Sequence, residues 1–243
     1  MGRQPTLEED VALGRHHYPQ NGDSFPGLVL IHDVWGLSEH SRQLATELAG
    51  EGFAVLEIDL YREGAGPPTQ DPGAFIRSLS DPSVLAHVET GAAWLMGRPM
   101  GRDRKVGVVG VCMGGTFALL AASSSDRFSA AAPFYGILSY ETGMLADPAG
   151  RDLEKKPHSP IELANRLRMP LRASFGMEDE FVPNEDVDWL EQELARSGQP
   201  FEIDRYPGAG HAFLNRTREA AYRAEASKRA WARVIPFLMA ELG

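Results

Sequence analysis

The chain has 243 residues, of which 43% are hydrophobic and 24% are charged, a balance typical of a globular protein with a sizeable core. Its net charge of −10 leaves no basic surplus to neutralise phosphates, which argues against a nucleic-acid partner. No apolar run reaches the length of a membrane span, so we expect no membrane partner. The single cysteine cannot form an internal disulfide, and a reducing cytoplasm is the expected compartment.

Apolar strand-like runs alternate with amphipathic helical stretches along the chain. The runs predict strands at 27–32, 53–60, 105–111, 130–135, 171–175 and 201–206. The first of them is continuously apolar and is therefore expected to be buried. The spacing of apolar residues predicts helices at about 39–48, 83–96, 116–122, 184–196 and 217–242. This alternation predicts one α/β domain over residues 1–243, a mostly parallel twisted sheet with helices on both faces. The segment before residue 25 fits a short antiparallel hairpin.

The only cysteine lies in the stretch Gly110-Val111-Cys112-Met113-Gly114, between a predicted strand and a predicted helix. This stretch fits the pattern G-x-nucleophile-x-G of a sharp strand-to-helix turn, where side chains at the flanking positions would clash with neighbouring backbone. The N-terminus of the following helix favours negative charge on the nucleophile. A lone cysteine is more often inert and buried, but the strand–turn–helix context favours a nucleophile here.

A thiol nucleophile needs a base, and seven histidines compete for that role. His211 follows the last predicted strand, in the loop Gly208-Ala209-Gly210-His211-Ala212-Phe213. That is the place of the base in the order nucleophile, acid, histidine of α/β-hydrolases. The other six histidines lie elsewhere, at His16, His17, His32, His40, His87 and His158. His211 is therefore the predicted base, although a loop histidine is more often simply solvated.

Three adjacent acids, Glu178, Asp179 and Glu180, follow the fifth predicted strand. The turn G-x-x-D followed by Val-Pro favours Asp179, because it would bring that carboxylate over the edge of the sheet. An aspartate there would orient the imidazole of His211 and stabilise its protonated form. Glu178 is the alternative, and a solvated acidic turn without function is the third interpretation.

With these residues the chain resembles the dienelactone hydrolase family, the cysteine branch of the α/β-hydrolases, over roughly residues 25–240. The resemblance rests on DVWGL at 33–37, GVCMGG at 110–115, FYG at 134–136, FGMEDEFVP at 175–183 and GAGHAF at 208–213. It implies the α/β-hydrolase fold and a triad of Cys112, Asp179 and His211. It also implies that the backbone N–H groups of Val34 and Met113 bind the oxyanion.

Further residues of the substrate pocket follow from the same resemblance. Asp33 takes the place of a family acid, usually glutamate, that interacts with the resting thiol. Its alternative role is that of an ordinary acid at the entry of a helix. The aromatic candidates for the pocket are Trp35, Tyr135 and Phe213, although a tryptophan beside a strand is more often part of the core.

The chain departs from dienelactone hydrolase itself where that enzyme binds a substrate carboxylate through arginines. Asn215 stands at the matching position shortly after the histidine, and Arg216 is next to it. Arg216 is therefore a candidate for the pocket, with Arg77 as a weaker second cation. The residue after the histidine is Ala212, where that enzyme has serine. The fold and the triad thus transfer more safely than the substrate.

The predicted function is hydrolysis of a small-molecule ester or lactone through a thioester acyl-enzyme. We expect no cofactor and no metal, because the histidines lack paired ligand spacing and no G-x-G-x-x-G motif is present. One alternative is a broad carboxylesterase or thioesterase. Another is a non-catalytic binding or redox-sensing module with Cys112 as an oxidisable thiol. The sequence leaves monomer and dimer open.

Overall fold

A computed structural model describes residues 4–61, 70–101 and 104–243. The described residues form an eight-stranded sheet in the order β1-β2-β4-β3-β5-β6-β7-β8. The strands are β1 (Thr6–Val11), β2 (Gly14–Pro19), β3 (Gly27–Ile31), β4 (Ala54–Ile58), β5 (Val106–Val111), β6 (Ala130–Phe134), β7 (Leu171–Gly176) and β8 (Phe201–Tyr206). The α-helices are α1 (Glu39–Gly50), α2 (Pro72–Ser78), α3 (Asp81–Gly97), α4 (Met113–Ser124), α5 (Pro160–Leu163), α6 (Asn184–Ser197) and α7 (Ala224–Leu242).

The sheet is parallel from β4 to β8, and its central strands β3 to β6 are buried at every position. Because helices cover both faces of these strands, their residues are mostly apolar at successive positions. The N-terminal segment pairs as an antiparallel hairpin, β1 with β2, and β2 then joins β4 in antiparallel register. The predicted hairpin is confirmed, and it extends the sheet at one edge.

Two apolar clusters cover the two faces of the sheet. Helices α1 and α7 pack on one face through residues such as Leu48 and Val234, and α3, α4 and α6 pack on the other. Helix α1 begins where the side chain of Ser38 accepts the N–H of Ser41, an N-cap that satisfies one free backbone donor. The predicted α/β-hydrolase fold, with helices on both faces, is confirmed.

Two predicted helix boundaries were wrong. Helix α4 begins at Met113, directly after Cys112, and not at residue 116. Helix α7 begins at Ala224, and residues 217–223 form successive turns. The cause of the second difference is that the N–H of Arg223 donates to the carbonyl of Phe213, which folds this segment back onto the loop that carries His211. The helical spacing of residues 217–223 is overridden by that tertiary contact.

Parallel pairing brings the carboxyl ends of β3 to β8 to the same edge of the sheet. The candidate residues follow five of these strands in turn, at Asp33 after β3, Cys112 after β5, Tyr135 after β6, Asp179 after β7 and His211 after β8. The topology alone therefore gathers side chains that are up to 178 positions apart in sequence, from 33 to 211, into one region.

Candidate active site

Cys112 stands between the last residue of β5 and the first residue of α4, with φ 56° and ψ −122°. A non-glycine residue with positive φ is strained. The strain is held by hydrogen bonds on both sides, because the N–H of Cys112 donates to Phe134 O at 3.1 Å and its carbonyl accepts from the N–H of Thr116 at 3.2 Å. The turn thus holds the side chain of Cys112, which is partly exposed, at the edge of the sheet.

The glycines that flank Cys112 are required by close backbone approach. A Cβ on Gly110 would lie 2.0 Å from the carbonyl oxygen of Gly114. One on Gly114 would lie 2.1 Å from the carbonyl oxygen of Ile31, in the neighbouring strand. Both distances are far below van der Waals contact, so the predicted steric need for glycine is confirmed.

His211 and Asp179 are joined by a hydrogen bond of 2.9 Å between Nδ1 and Oδ2. The other carboxylate oxygen of Asp179 accepts the backbone N–H groups of Phe181 and Val182, at 2.9 and 3.2 Å. The side chain of Asp179 is fully buried, and that of His211 is 13% exposed. Because a carboxylate can only accept, Nδ1 carries the proton and Nε2 is left for another partner. Glu178, the alternative acid, lines the adjacent pocket.

The imidazole of His211 also interacts with Cys112. Burial lowers the pKa of His211, but the negative charge of Cys112 and hydrogen bonds to Asp179 and Cys112 outweigh it and raise this pKa to about 10. At neutral pH the ring is therefore protonated when the sulfur is a thiolate. The three side chains form a chain of interactions from Asp179 through His211 to Cys112.

Backbone strain is concentrated around these residues. Within the described part of the chain, positive φ among non-glycine residues occurs only at Cys112, Tyr135 and Ala212, with φ of 56°, 38° and 59°. Such conformations cost about 1–3 kcal/mol each, and they persist where the surroundings impose them. All three are Cys112 itself or residues near Cys112 and His211, in the loops that follow the carboxyl ends of strands. Strain concentrated in this way is typical of a functional site.

The two amides named as oxyanion donors lie on buried residues, Val34 at 4% and Met113 at 0% exposure. Met113 opens helix α4, so its N–H belongs to the first turn and has no partner within the helix. The structure gives neither N–H an acceptor among the described residues. Buried N–H groups are rarely left unpaired, so these two are available to a bound group.

Asp33 is a buried carboxylate with few partners. Its Oδ1 accepts the N–H of Trp35 at 2.9 Å, and no ion pair within the described residues involves it. Burial raises its pKa to about 6, against the opposing influence of that hydrogen bond and of the charges of Arg218 and His211. Helix α1 begins six residues later and is capped by Ser38, so the interpretation of Asp33 as a helix-entry acid was wrong.

Besides Arg223, whose guanidinium donates to backbone carbonyls, the arginine beside the site is Arg218. It lines a pocket of about 310 Å³ together with His211 and Phe181, and its guanidinium lies 5.5 Å from the centre of the Trp35 ring. Arg216 instead pairs with Glu47 and Tyr222, on another surface of the molecule, and Arg77 bonds the carbonyl of Met144. The sequence suggested Arg216, and the structure places Arg218 in the pocket. Because residues 217–223 were predicted to be helical, their turn back toward His211 was not foreseen.

The three aromatic candidates differ in exposure. Trp35 is partly exposed under Arg218. Tyr135 and Phe213 are 1% and 0% exposed, and the ring of Tyr135 lies edge-on to both His211 and Phe213, at 5.2 and 5.3 Å. Tyr135 thus packs against the imidazole of His211 and Phe213 packs against Tyr135, whereas Trp35 lies at the surface of the site.

Two residues that the sequence did not select, His32 and Tyr61, contact the backbone of residues 33 and 34. His32 was considered only as a rival base, and Tyr61 carries no motif. The described residues contain no group of three or more potential metal ligands. Over the same residues, no helix combines the length and the apolar character needed to cross a bilayer.

Comparison with known proteins identifies similar chains. The model of the dienelactone hydrolase family matches residues 13–242. A relative from Escherichia coli (strain K12), named "Putative carboxymethylenebutenolidase", is 29% identical, with 95% of this chain and 88% of the relative aligned. A relative from Bradyrhizobium sp., named "Probable 2-oxo-3-(5-oxofuran-2-ylidene)propanoate lactonase", is 26% identical, with 88% of this chain and 83% of the relative aligned.

A solved structure described as "Putative Dienelactone Hydrolase", from Klebsiella pneumoniae subsp. pneumoniae MGH 78578, has a TM-score of 0.84 against this chain. The two are 28% identical, and the superposition covers 97% of this chain and 98% of the other. These likenesses extend over nearly the whole length of each protein. They therefore concern the complete fold and not a shared fragment.

Proposed function

This chain belongs to the dienelactone hydrolase family and is a hydrolase of that type, and from that premise we propose that it cleaves an ester or lactone with Cys112, His211 and Asp179. The observation that carries the proposal is the continuous interaction from Asp179 to His211 and from His211 to Cys112. The contact between His211 and Cys112 brings the base within reach of the sulfur, as a cysteine nucleophile requires.

In the proposed mechanism, Cys112 Sγ attacks the carbonyl carbon and the carbonyl electrons move to its oxygen. The N–H groups of Val34 and Met113 donate to that oxyanion, and each such donor contributes about 2.7–4 kcal/mol in comparable sites. When the tetrahedral intermediate collapses, the bond to the leaving oxygen breaks and His211 Nε2–H protonates that oxygen. A thioester between the acyl group and Cys112 remains.

Deacylation uses the imidazole that has lost its proton. His211 Nε2 takes a proton from water, the hydroxide oxygen attacks the thioester carbonyl, and the carbon–sulfur bond breaks to release the acid. The thiolate and the imidazolium are then restored. Asp179 keeps the proton on Nδ1 throughout and stabilises the imidazolium, so Nε2 always faces the reaction.

The substrate we propose carries an anionic group beside its ester or lactone. Arg218 is exposed, lines the pocket next to His211 and has no ion-pair partner among the described residues. An unpaired guanidinium held against Trp35 favours a carboxylate, which it can bind through two hydrogen bonds. The printed name of the Bradyrhizobium relative describes a lactone with a propanoate group, in line with this proposal.

The test is hydrolysis of p-nitrophenyl acetate by the protein and by its Cys112→Ala and Cys112→Ser variants. We expect turnover by the unmodified protein, an acetyl adduct on Cys112 detected by intact-protein mass spectrometry, and no turnover by Cys112→Ala. Turnover that persists in Cys112→Ala contradicts the proposal. Full activity of Cys112→Ser contradicts a thiolate mechanism.

A panel of enol lactones and simple aryl esters, each with and without a carboxylate, then separates the substrate classes. A higher kcat/KM for the carboxylate-bearing enol lactones supports the proposed substrate. Equal values across the panel indicate a broad carboxylesterase. No Cys112-dependent turnover of any compound indicates a binding or redox-sensing module.

A further inference from the structure

His32 directly follows strand β3 and is completely buried, yet both of its ring nitrogens are bonded to backbone. Nδ1 lies 2.5 Å from the carbonyl oxygen of Asp33, and Nε2 lies 3.2 Å from the backbone nitrogen of Leu60. Asp33 and Leu60 follow the neighbouring parallel strands β3 and β4. The imidazole therefore joins the two loops at the edge of the sheet where Cys112 lies.

Only one protonation form of His32 fits these two partners. The backbone N–H of Leu60 can only donate, so Nε2 must accept and cannot carry a proton. Nδ1 then carries the single proton and donates it to the carbonyl of Asp33. A doubly protonated ring would place two N–H groups against each other at Leu60. Burial, which lowers the pKa of His32, keeps the ring neutral as this arrangement needs.

The carbonyl that His32 binds belongs to the same peptide group as the N–H of Val34. The described residues contain no cis peptide, so this group is trans and planar, and its N–H points opposite to its C=O. Fixing the carbonyl of Asp33 therefore fixes the direction of the Val34 N–H. We propose that His32 is a positioning residue that holds the Val34 N–H in line for the oxyanion.

Two further contacts support this role. The N–H of Gly36 donates to the same carbonyl at 3.2 Å, so the Asp33 oxygen accepts two hydrogen bonds and the peptide is polarised toward a stronger N–H donor. The following peptide is held by Tyr61, whose hydroxyl donates to Val34 O at 2.9 Å. Val34 is thus fixed on both sides, although its own N–H has no acceptor among the described residues.

This inference depends on the proposed thioester mechanism, in which the Val34 N–H binds the oxyanion. Two substitutions of His32 each remove one of its two hydrogen bonds and keep the other. In His32→Asn the side-chain NH₂ takes the place of Nδ1, so the bond to Asp33 O is kept and the bond to Leu60 is lost. In His32→Gln the terminal amide takes the place of Nε2, so the bond to Leu60 is kept and the bond to Asp33 O is lost.

The readout compares two reactions of the same sulfur. Acylation of Cys112 by p-nitrophenyl acetate forms an oxyanion, whereas alkylation of Cys112 by iodoacetamide displaces iodide without one. The ratio of the two rate constants therefore reports the oxyanion site and is insensitive to exposure or ionisation of the thiol. We expect His32→Gln to lower this ratio roughly ten- to a hundredfold, below the 10²–10³ of a fully lost donor. We expect His32→Asn to stay within about threefold of the unmodified protein.

The inference is overturned if the ratio of the two rate constants is the same in His32→Gln and the unmodified protein. It is also overturned if this ratio falls equally in His32→Gln and His32→Asn, because His32 would then only link the two loops. If His32→Gln does not fold, as judged by near-ultraviolet circular dichroism, His32→Leu takes its place, because leucine also lacks a donor. Absence of Cys112 acylation in the unmodified protein overturns the proposed function together with this inference. Normal acylation with an unchanged ratio overturns this inference alone.

Discussion

Two buried carboxylates, one in β4 and one just after the neighbouring strand β3, differ in the number of groups that pair with them. Glu57, in β4, has a fully buried side chain that pairs with Arg15 at 2.7 Å and with His17 at 3.2 Å. Asp33, after β3, is 6% exposed and accepts a single backbone N–H. Glu57 fixes the N-terminal hairpin to the sheet, whereas Asp33 forms no ion pair among the described residues.

The difference shows that buried carboxylates can be paired with cations at one place and left without an ion pair at another. A buried charge that is paired contributes to the unique arrangement of the fold, and one that is left unpaired costs free energy. Proteins retain such a cost where the activity needs it. Glu57 at the hairpin edge is thus paired with cationic groups, whereas Asp33 at the carboxyl end of β3 has no ion pair among the described residues.

The largest effect on stability is expected from Glu57→Gln. This change leaves Arg15 and His17 buried without their carboxylate, and loss of one partner of a buried ion pair costs about 3–5 kcal/mol. Urea unfolding should show that loss, with kcat unchanged. The control is Glu202→Gln, whose carboxylate is 64% exposed on Arg172 and should contribute less than about 1 kcal/mol. Equal losses in the two variants would contradict the comparison.

The next effect, that of Asp33→Asn, is an increase in the free energy of unfolding. Asp33 has a pKa of about 6 in the folded protein against an ordinary value of 3.8, so its ionisation destabilises the fold above pH 6. The difference corresponds to about 3 kcal/mol at 1.36 kcal/mol per pH unit. Asp33→Asn should therefore raise the free energy of unfolding at pH 8 by up to that amount.

The pH dependence distinguishes this cause from an ordinary gain in packing. As the pH falls from about 6 to 3.8, Asp33 becomes protonated in both states, and the advantage of Asp33→Asn should vanish. Unfolding by urea at a series of pH values measures it. A gain that stays constant down to pH 4 would show that the charge of Asp33 is not its source.

A smaller effect is expected from Arg218→Gln. The change removes the guanidinium that lies against Trp35 in the pocket beside His211, so KM for a carboxylate-bearing enol lactone should rise about tenfold, a loss of about 1.4 kcal/mol. Its kcat, and both constants for a neutral aryl ester, should stay the same. Arg216→Gln is the matched control, because that guanidinium pairs with Glu47 outside this pocket. A similar rise in KM for both variants would exclude the role of Arg218.

The smallest effect is expected from Glu9→Gln, in strand β1 of the N-terminal hairpin. Glu9 pairs with His16 at 3.0 Å and with Arg98 at 2.6 Å, but its side chain is 39% exposed. Ion pairs in contact with solvent contribute about 0–1 kcal/mol, so Glu9→Gln should lower the free energy of unfolding by less than about 1 kcal/mol. A loss as large as that of Glu57→Gln would mean that depth of burial does not decide the contribution.

Much of the fold could be predicted because its signals are local. Mostly apolar runs identified β3 to β6, and the strand-to-helix turn at Cys112 was marked by glycines that the backbone needs. Boundaries were less accurate where a distant group decides them. Helix α7 starts late because Arg223 bonds back to Phe213, a contact that no periodicity contains.

Only those residues of the candidate site that a motif or their order in the chain marks could be predicted from the sequence. These gave Cys112 and His211, and the turn after β7 favoured Asp179, which the structure brings against His211. Arg218 and His32 were missed for a common reason. The roles proposed for them depend on which loops meet in space, and neither residue differs from an ordinary surface arginine or core histidine in sequence.

The crowding around the strand-to-helix turn limits how this hydrolase could be redesigned. A Cβ on Gly114 would lie 2.1 Å from the carbonyl oxygen of Ile31 in β3, and one on Gly115 would lie 2.4 Å from the carbonyl oxygen of Phe134 in β6. The first turn of α4 therefore packs so closely against these two strands that no side chain fits between them. This crowding fixes the backbone of Cys112 at the edge of the sheet. An engineer can exchange the reacting atom at Cys112, but new selectivity has to be introduced through the surrounding loops.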